Sequence, residues 1–319
     1  MYKVSVIIPV YKAEQFIERC ARSLFEQTLD SIEYIFVNDC SPDRSMDVLL
    51  SVLEEYPCRK EHVKILNHTV NTGQSGARKD GMAIAGGEYI IHCDSDDWVD
   101  LDMYESMYEK AKQDNVEAVC CDIVLEHGTF SRCLQVNSRY DDHRLMYDCI
   151  EPISVEYLSM CNRMVSRKVF ERNTIEPFKG VNMWDDVGLS IRLRYYIQSS
   201  SVINKPFYHY NRQNETSTTR RPLMDRIREQ MLCIEYIEDF FRKEQDYDKY
   251  RLFISYLKIH SIEELFRKDA DTWVAYFKPE RSRLWKIRHL YKTHLLVKYY
   301  TVGYCGKLGK AIWKKFWKR

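Results

Sequence analysis

Four short apolar runs, separated by amphipathic stretches, occupy the first hundred residues and constrain the fold more than anything else in this chain. Val4–Val10 reads as a buried strand, Tyr34–Val37 as a second ending at Asn38-Asp39, Val63–Leu66 as a third and Glu88–Cys93 as a fourth. Between them, Glu14–Gln27 sets Phe16, Ile17, Cys20 and Leu24 at helical spacing, and Ser75–Ala85 reads as another helix. Ser41-Pro42 predicts a helix start between the second and third strands, with a capping serine and proline in the first turn. Strands that are apolar throughout and alternate with helices imply a parallel sheet covered on both faces, with ligands beyond the carboxyl ends of the strands. Later segments are less regular: strands at Val116–Val124, Cys161–Val165 and Val202–Tyr210, helices at Arg167–Arg172 and Trp184–Tyr196, then helical, aromatic-rich sequence from about 222. The expected class is α/β, a Rossmann-like, mostly parallel sheet flanked by helices, with a helical C-terminal extension.

With 45% hydrophobic and 30% charged residues over 319 positions, the chain has ample material for a core. Eleven cysteines without a CxxC pair are expected to stay reduced. No run of 18 uninterrupted apolar residues predicts a spanning helix, and Met1–Pro9 leads straight into a strand without a signal-peptide pattern. The expected location is cytoplasmic, or the cytoplasmic face of a membrane. The net charge of +1 hides an asymmetry: Lys278–Arg319 holds 13 Lys/Arg and one acid, Glu280, for +12, which leaves residues 1–277 at −11. Such a basic tail suits an anionic surface, either a membrane or nucleic acid.

The fourth strand runs into Asp94-Ser95-Asp96-Asp97, with Asp100 close behind. Carboxylates this crowded repel one another unless a positive charge sits among them. Asp-X-Asp at a strand end is a natural seat for a hard divalent cation such as Mn²⁺ or Mg²⁺, which shares oxygen ligands with phosphates. Neither GxGxxG nor GxxxxGK[ST] is present, which weighs against a dehydrogenase or a P-loop enzyme.

Five segments occur in a telling order: Val6-Ile7-Ile8-Pro9-Val10-Tyr11, Val37-Asn38-Asp39-Cys40-Ser41-Pro42-Asp43, Asn71 to Gly81, Gly86-Gly87-Glu88-Tyr89-Ile90, and Asp94-Ser95-Asp96-Asp97. Together they resemble the family 2 inverting glycosyltransferases, which have a GT-A fold and use nucleotide-sugar donors. The resemblance is dense over residues 3–110 and thins toward 220; Lys79 departs from it, since asparagine is commoner after the arginine. It implies a glycosyltransferase domain over 1–220, with the donor half at 1–115 and the acceptor half at 116–220, followed by a helical region at 221–319. By the same resemblance, Pro9, Val10 and Tyr11 would pack on the base, with Glu14 and Gly73 also on the donor side. Asp39 would accept a hydrogen bond from the base; a turn or capping role is the alternative. Arg78 would approach the phosphates or anchor the acidic loop, and an ordinary ion pair competes. Asp94, with Ser95, would face the ribose, while Asp96 or Asp97 would hold the metal.

Met183-Trp184-Asp185-Asp186 resembles the family's acidic pair, usually Glu-Asp, at the start of an acceptor-side helix. Asp186 would be the general base, beside Asp185, although a carboxylate there also suits plain helix capping. Tyr208 to Thr219 resembles the segment that closes over the donor, where Arg212 or His209 would touch the diphosphate. The acceptor would be a glycan or lipid-linked glycan and the sugar a hexose or N-acetylhexosamine, with UDP the default nucleotide by family frequency. A sugar-1-phosphate nucleotidyltransferase would need a basic, glycine-rich loop after the first strand, and Tyr11-Lys12-Ala13-Glu14 is not one. A catalytically silent sugar-nucleotide binder would dispense with Asp186. A glycosidase has two carboxylates but no use for the nucleotide-side motifs. In the tail, Trp313, Phe316 and Trp317 share a helical face flanked by Lys310, Lys314, Lys315, Lys318 and Arg319, the pattern of a helix lying in a membrane interface. Packing on the protein's own acidic body is the alternative, and nucleic acid is not expected as a partner.

Overall fold

The structure, a computed structural model, describes residues 1–136 and 158–316 and divides into two compact units. The first comprises Met1–Asp141 with Val155–Arg220, the second Asp142–Ser154 with Arg221–Arg319.

The first unit is built on one nine-stranded sheet. Strands β1 (Val4–Val10), β2 (Ile32–Asn38), β3 (Val63–Asn67) and β4 (Tyr89–His92) form its parallel half, in the order β3-β2-β1-β4. Every residue of β1 is buried, and the period of two sorts its side chains to opposite faces. Val4, Val6, Ile8 and Val10 join Tyr34 and Phe36 of β2 in one core. Helices α1 (Ile17–Phe25), α2 (Ser45–Glu54) and α4 (Met103–Asp114) add Cys20, Leu24, Leu49, Met103 and Met107 to it. On the other face, Ile35 and Val37 meet Ala77 of α3 (Gly73–Ala83), and Ile7 and Ile90 meet α5 (Arg167–Asn173) and α6 (Asp185–Tyr196). Each fully buried branched side chain contributes about 1.5–3 kcal/mol, so this two-faced sorting holds the sheet between its helices.

Beyond β4 the order continues β8 (Arg163–Ser166), β6 (Ala118–Glu126), β9 (Ser200–Asn211) and β5 (Trp98–Val99), with β7 (Ser131–Leu134) on β6. β8 is antiparallel to both β4 and β6, while β6 and β9 run parallel. β5 and β7 escape a reading by periodicity because they are two and four residues long.

One local expectation changes. α2 begins at Ser45 rather than at Pro42. The Asp43 carboxylate accepts hydrogen bonds from the hydroxyls of Ser41 (2.6 Å) and Ser45 (2.5 Å), which holds Ser41–Asp43 in a turn ahead of the helix.

The second unit is helical among the described residues, from Leu223–Lys243 and Tyr247–Ser261 to Thr293–Tyr304 and Gly306–Phe316. Its core is aromatic: Trp273 stacks on Phe277 (4.4 Å) and meets Phe266 edge-on (4.9 Å), with Tyr299 5.2 Å from Trp273. Trp313 corrects the expected tail face. It is 3% exposed, and its indole N–H donates to the Phe266 carbonyl at 2.6 Å, because a buried indole needs an acceptor. Trp317, Lys318 and Arg319 lie outside the described residues. Among the described residues no helix is long and apolar enough to cross a membrane, and the ten cysteines are free thiols.

Candidate active site

Beyond the carboxyl ends of β1, β2 and β4, two loops are fastened together. In the loop after β1, the backbone N–H groups of Lys12, Ala13 and Glu14 donate to Ser41 Oγ (2.8 Å), Ser45 Oγ (2.9 Å) and Asp43 Oδ2 (3.1 Å). Arg44 N–H returns a bond to Glu14 Oε2 at 3.1 Å. Glu14 therefore ties loop to loop. Pro9 and Val10 are buried in β1, whereas Tyr11 is 44% exposed just past the strand end with Lys12 Nζ 5.3 Å from its ring centre.

Asp39, 2% exposed at the end of β2, organises the start of α3. Its Oδ1 accepts from Thr72 N–H (2.7 Å) and Thr72 Oγ1 (2.9 Å), and its Oδ2 accepts from Gly73 N–H (2.8 Å). The helix N-terminus thereby finds an anion, which its unpaired N–H groups and dipole favour. His68 adds 2.8 Å and 3.1 Å contacts to Asp39 and Asp80. Gly73 has φ +80°, where an L side chain is strained, and a Cβ there would lie 2.0 Å from Asn182 Oδ1, which would have to shift.

A cavity of about 200 Å³ opens beside α3, lined by Gln74, Arg78, Asp94, Asp97, Asp185 and Asp186 among others. Arg78, 1% exposed, joins its two sides: Nη2 lies 2.6 Å from Asp94 Oδ1 and Nε 3.4 Å from Asp185 Oδ2. Burial opposes its charge, but Asp185 and Asp94 prevail and hold the guanidinium well above its ordinary pKa. Gln74 Nε2 donates to the same Asp94 oxygen at 3.0 Å. Below Arg78, burial and the guanidinium charge keep His92 well below its ordinary value, hence neutral.

The other acidic side chains diverge. Asp97 is 1% exposed and fully engaged: Tyr208 Oη donates to Oδ2, and Asn211 N–H donates to Oδ1 at 2.8 Å. Asp96 is half-buried, and its Oδ2 accepts from Asn214 Nδ2 at 2.7 Å. Burial and the Asp94 charge push the Asp96 carboxyl up to about 6. Ser95 is buried between them.

On the far side, Asp185 and Asp186 open α6, behind a Trp184 held in the left-handed region at φ 70°. For a bulky residue this backbone is strained, and such strain persists only where the surroundings enforce it. Trp184 is 6% exposed and walls the cavity. Burial pushes Asp185 up to about 7 and Asp186 up to about 6, against the pull of Arg78. Arg212 lines the cavity with Thr218 and Thr219. His209 does not: one residue along β9 from Tyr208, it points to the opposite face, between Glu126 (2.8 Å) and Asp100 (3.0 Å) and stacked on Trp98.

The structure thus brings Arg78, Asp94, Asp97, Asp185, Asp186 and Arg212 to one cavity, with Asp96 beside Asp94. Pro9, Val10, Tyr11, Glu14 and Asp39 belong to the adjoining loops. Sequence reasoning gave no role to Tyr208, Asn214 and Gln74, which orient the acidic side chains, or to Asn182, which lines the cavity; the alternation of Tyr208 and Tyr210 along β9 was an available hint.

The family model described as Glycosyl transferase family 2 matches residues 5–174, more than half of the chain. The chain belongs to glycosyl transferase family 2. Among curated relatives, the glycosyltransferase EpsJ of Bacillus subtilis is 29% identical over 70% of this chain and 65% of its own length. Among solved structures, residues 1–349 of S. aureus TarS in complex with UDP-GlcNAc superimpose with a TM-score of 0.68 at 17% identity, covering 94% of this chain and 90% of that one. The mannosyltransferase PcManGT from Pyrobaculum calidifontis, in complex with GDP-Man and Mn²⁺, gives 0.54 at 16% identity, over 99% and 88%. These likenesses establish the GT-A fold of this family 2 glycosyltransferase.

Proposed function

We propose that this enzyme is an inverting transferase that moves a hexose or N-acetylhexosamine from a nucleoside diphosphate, by default UDP, to a hydroxyl of a glycan or lipid-linked glycan. The observation that carries the reading is the cavity that Arg78 joins across, with Asp94 on one side, Asp96 close to it in the chain, and Asp185 and Asp186 on the other. The UDP-GlcNAc bound by TarS supports the choice of nucleotide.

Tyr11 would face the base; Pro9 and Val10, buried in β1, can only support it from the strand and do not reach a bound base. Asp39 reaches it through the loop it orders, since its oxygens already hold Thr72 and Gly73. Asp94 would meet the ribose, and Arg78 holds that carboxylate in place. Arg212, which lines the cavity, would meet the diphosphate. Asp186, titrating near 6, is largely ionised at neutral pH yet basic enough to take a proton. It would remove the acceptor hydroxyl proton as that oxygen bonds to the anomeric carbon. The bond from that carbon to the diphosphate oxygen breaks on the opposite face, and its electron pair leaves with the nucleoside diphosphate. Asp185, paired with Arg78, holds the helix start beneath Asp186.

A divalent ion, Mn²⁺ or Mg²⁺, fits the donor set. Asp96 is a half-exposed carboxylate in a crowd of like charge, as hard cations favour, and Asp97 is already spent on Tyr208 and Asn211. No group of three or more His, Cys, Asp or Glu among the described residues could hold an ion alone, so diphosphate oxygens would complete the shell around Asp96. Such an ion, when bound, stabilises the charge of the leaving diphosphate. The helical C-terminal region would bring the enzyme to the cytoplasmic face of a membrane, where lipid-linked acceptors are found.

The test uses a panel of nucleotide sugars with Mn²⁺. A bound donor raises the melting temperature by mass action and identifies the nucleotide. Asp186→Asn should keep that shift and lose transfer about 10²–10⁴-fold, the usual contribution of a general base. Transfer at the parental rate would remove Asp186 from that role.

A further inference from the structure

We infer that the second unit docks on anionic phospholipid through the face formed by Trp285, Val297, Tyr300, Tyr304 and Leu308, not through the Trp313 face. The inference rests on the reading that the C-terminal region meets a membrane. Trp313 is buried within its own unit, so it is not available to lipid.

A different apolar surface is available. Trp285 is 61% exposed, Val297 55%, Tyr304 47% and Leu308 67%. Val297, Tyr300 and Tyr304 stand at i, i+3 and i+7 of the helix Thr293–Tyr304, so they share one face, and Leu308 follows at the start of Gly306–Phe316. The aromatic rings form a chain: Trp285 lies 6.2 Å from Tyr300, which lies 5.4 Å from Tyr304. An arginine sits at each end, with Arg288 4.4 Å over Trp285 and Arg281 5.3 Å over Tyr304. Amphipathic rings with guanidinium groups over them suit the headgroup layer, where the apolar body and the cationic head each find their medium.

Charge selects the occupant. The single acid of Lys278–Arg319, Glu280, is 4% exposed and turned inward onto Arg283 (2.9 Å) and Lys258 (3.9 Å). Lys310 pairs with Asp271, but the segment as a whole keeps its large excess of positive charge. A second copy offering the same face would meet like charge, whereas an anionic bilayer supplies counter-charge. Exposed Val297 and Leu308 suit acyl chains better than a nucleic acid, which is gripped by cations and stacked rings.

The test is co-sedimentation with vesicles of one part phosphatidylglycerol to three parts phosphatidylcholine, and with phosphatidylcholine alone, at about 150 mM salt. The parent is expected to sediment with the anionic vesicles only. The triple variant Trp285→Ser, Tyr304→Ser, Leu308→Ser should lose at least about tenfold in partitioning, since each residue forfeits buried apolar area. Arg281→Gln with Arg288→Gln should lose affinity on anionic vesicles as a second, independent probe. Unchanged melting temperatures and unchanged transfer to a soluble acceptor would show that the variants stay folded and that the transfer reaction is separate. If the parent binds and the triple variant binds equally, this face is wrong while the membrane reading stands. If the parent binds neither vesicle, both fail. A parent that prefers single-stranded RNA over the anionic vesicles, or that dimerises through these residues, also overturns the assignment.

Discussion

Replacing Arg78 by methionine tests the electrostatic centre of the site. The side chain is 1% exposed and lies between Asp94 at 2.6 Å and Asp185 at 3.4 Å. Methionine fills similar volume but leaves both carboxylates without it. Asp185, with its side chain 4% exposed, bears nearly the full desolvation cost; Asp94, 26% exposed, recovers part from water. Breaking a buried pair from one side costs about 3–5 kcal/mol. For a unit of this size that corresponds to a melting temperature roughly 6–20 °C lower. The loss should depend on pH. Without the guanidinium, Asp185 has a still higher folded pKa, so the folded variant binds a proton that the unfolded chain does not, and acid restores it. Thermal melts at about pH 8 and about pH 5.5 should show a gap between parent and variant that narrows at the lower pH. Adding Asp185→Asn should recover part of the deficit at pH 8, because it removes one stranded charge. Arg78→Met melting within about 1 °C of the parent at pH 8 would refute the reasoning, since buried charges so stranded cannot be free of cost.

Other outcomes follow from the same geometry. Tyr208→Phe removes the hydroxyl that donates to Asp97 and accepts from Asp94 N–H at 3.3 Å, so it should cost about 1.5–3 kcal/mol in thermal stability and weaken donor binding by titration calorimetry. Unaltered donor affinity would show that the clamp does not position the acidic loop. The metal-free enzyme should become more stable as pH falls from about 8 to about 6.5, because Asp96, Asp185 and Asp186 are raised in the folded state, which holds more protons there than the unfolded chain. Below about 6.5 the neutral, buried His92 works in the opposite sense, since the unfolded chain then takes up the proton it refuses. Mn²⁺-dependent donor binding should weaken below about pH 6, as a proton competes for Asp96; a flat binding profile would separate Asp96 from the metal.

How much of this was legible varies with distance along the chain. The first four strands and α3 are written in apolar runs and helical spacing, and their observed bounds lie within two residues of the expected ones. The strand-end and helix-start positions of Asp39, Asp94 and the Asp185-Asp186 pair were legible, because such positions are defined by immediate neighbours. The capping bonds of Asp39 to Thr72 and Gly73 were weighed only as the alternative to a base contact. Asp97 was not: Tyr208, 111 residues away, turns it inward and leaves Asp96 as the ligand candidate. The turn at Ser41–Asp43 was misread because its partners lie in the loop after β1.

The sequence by itself determined the alternating elements of the parallel half of the sheet, the clustering of acids at its carboxyl end and the excess of positive charge toward the C-terminus. These depend on residue type and local period, which the chain carries in its own order. Only the tertiary structure decided that β8 enters antiparallel between β4 and β6, that one buried arginine joins acids from two separate segments, and that Trp313 faces inward while Trp285 and Tyr304 face out. Each of these is a choice among partners far apart in the chain, settled by which pairing buries apolar area and leaves fewest charges and N–H groups unmatched.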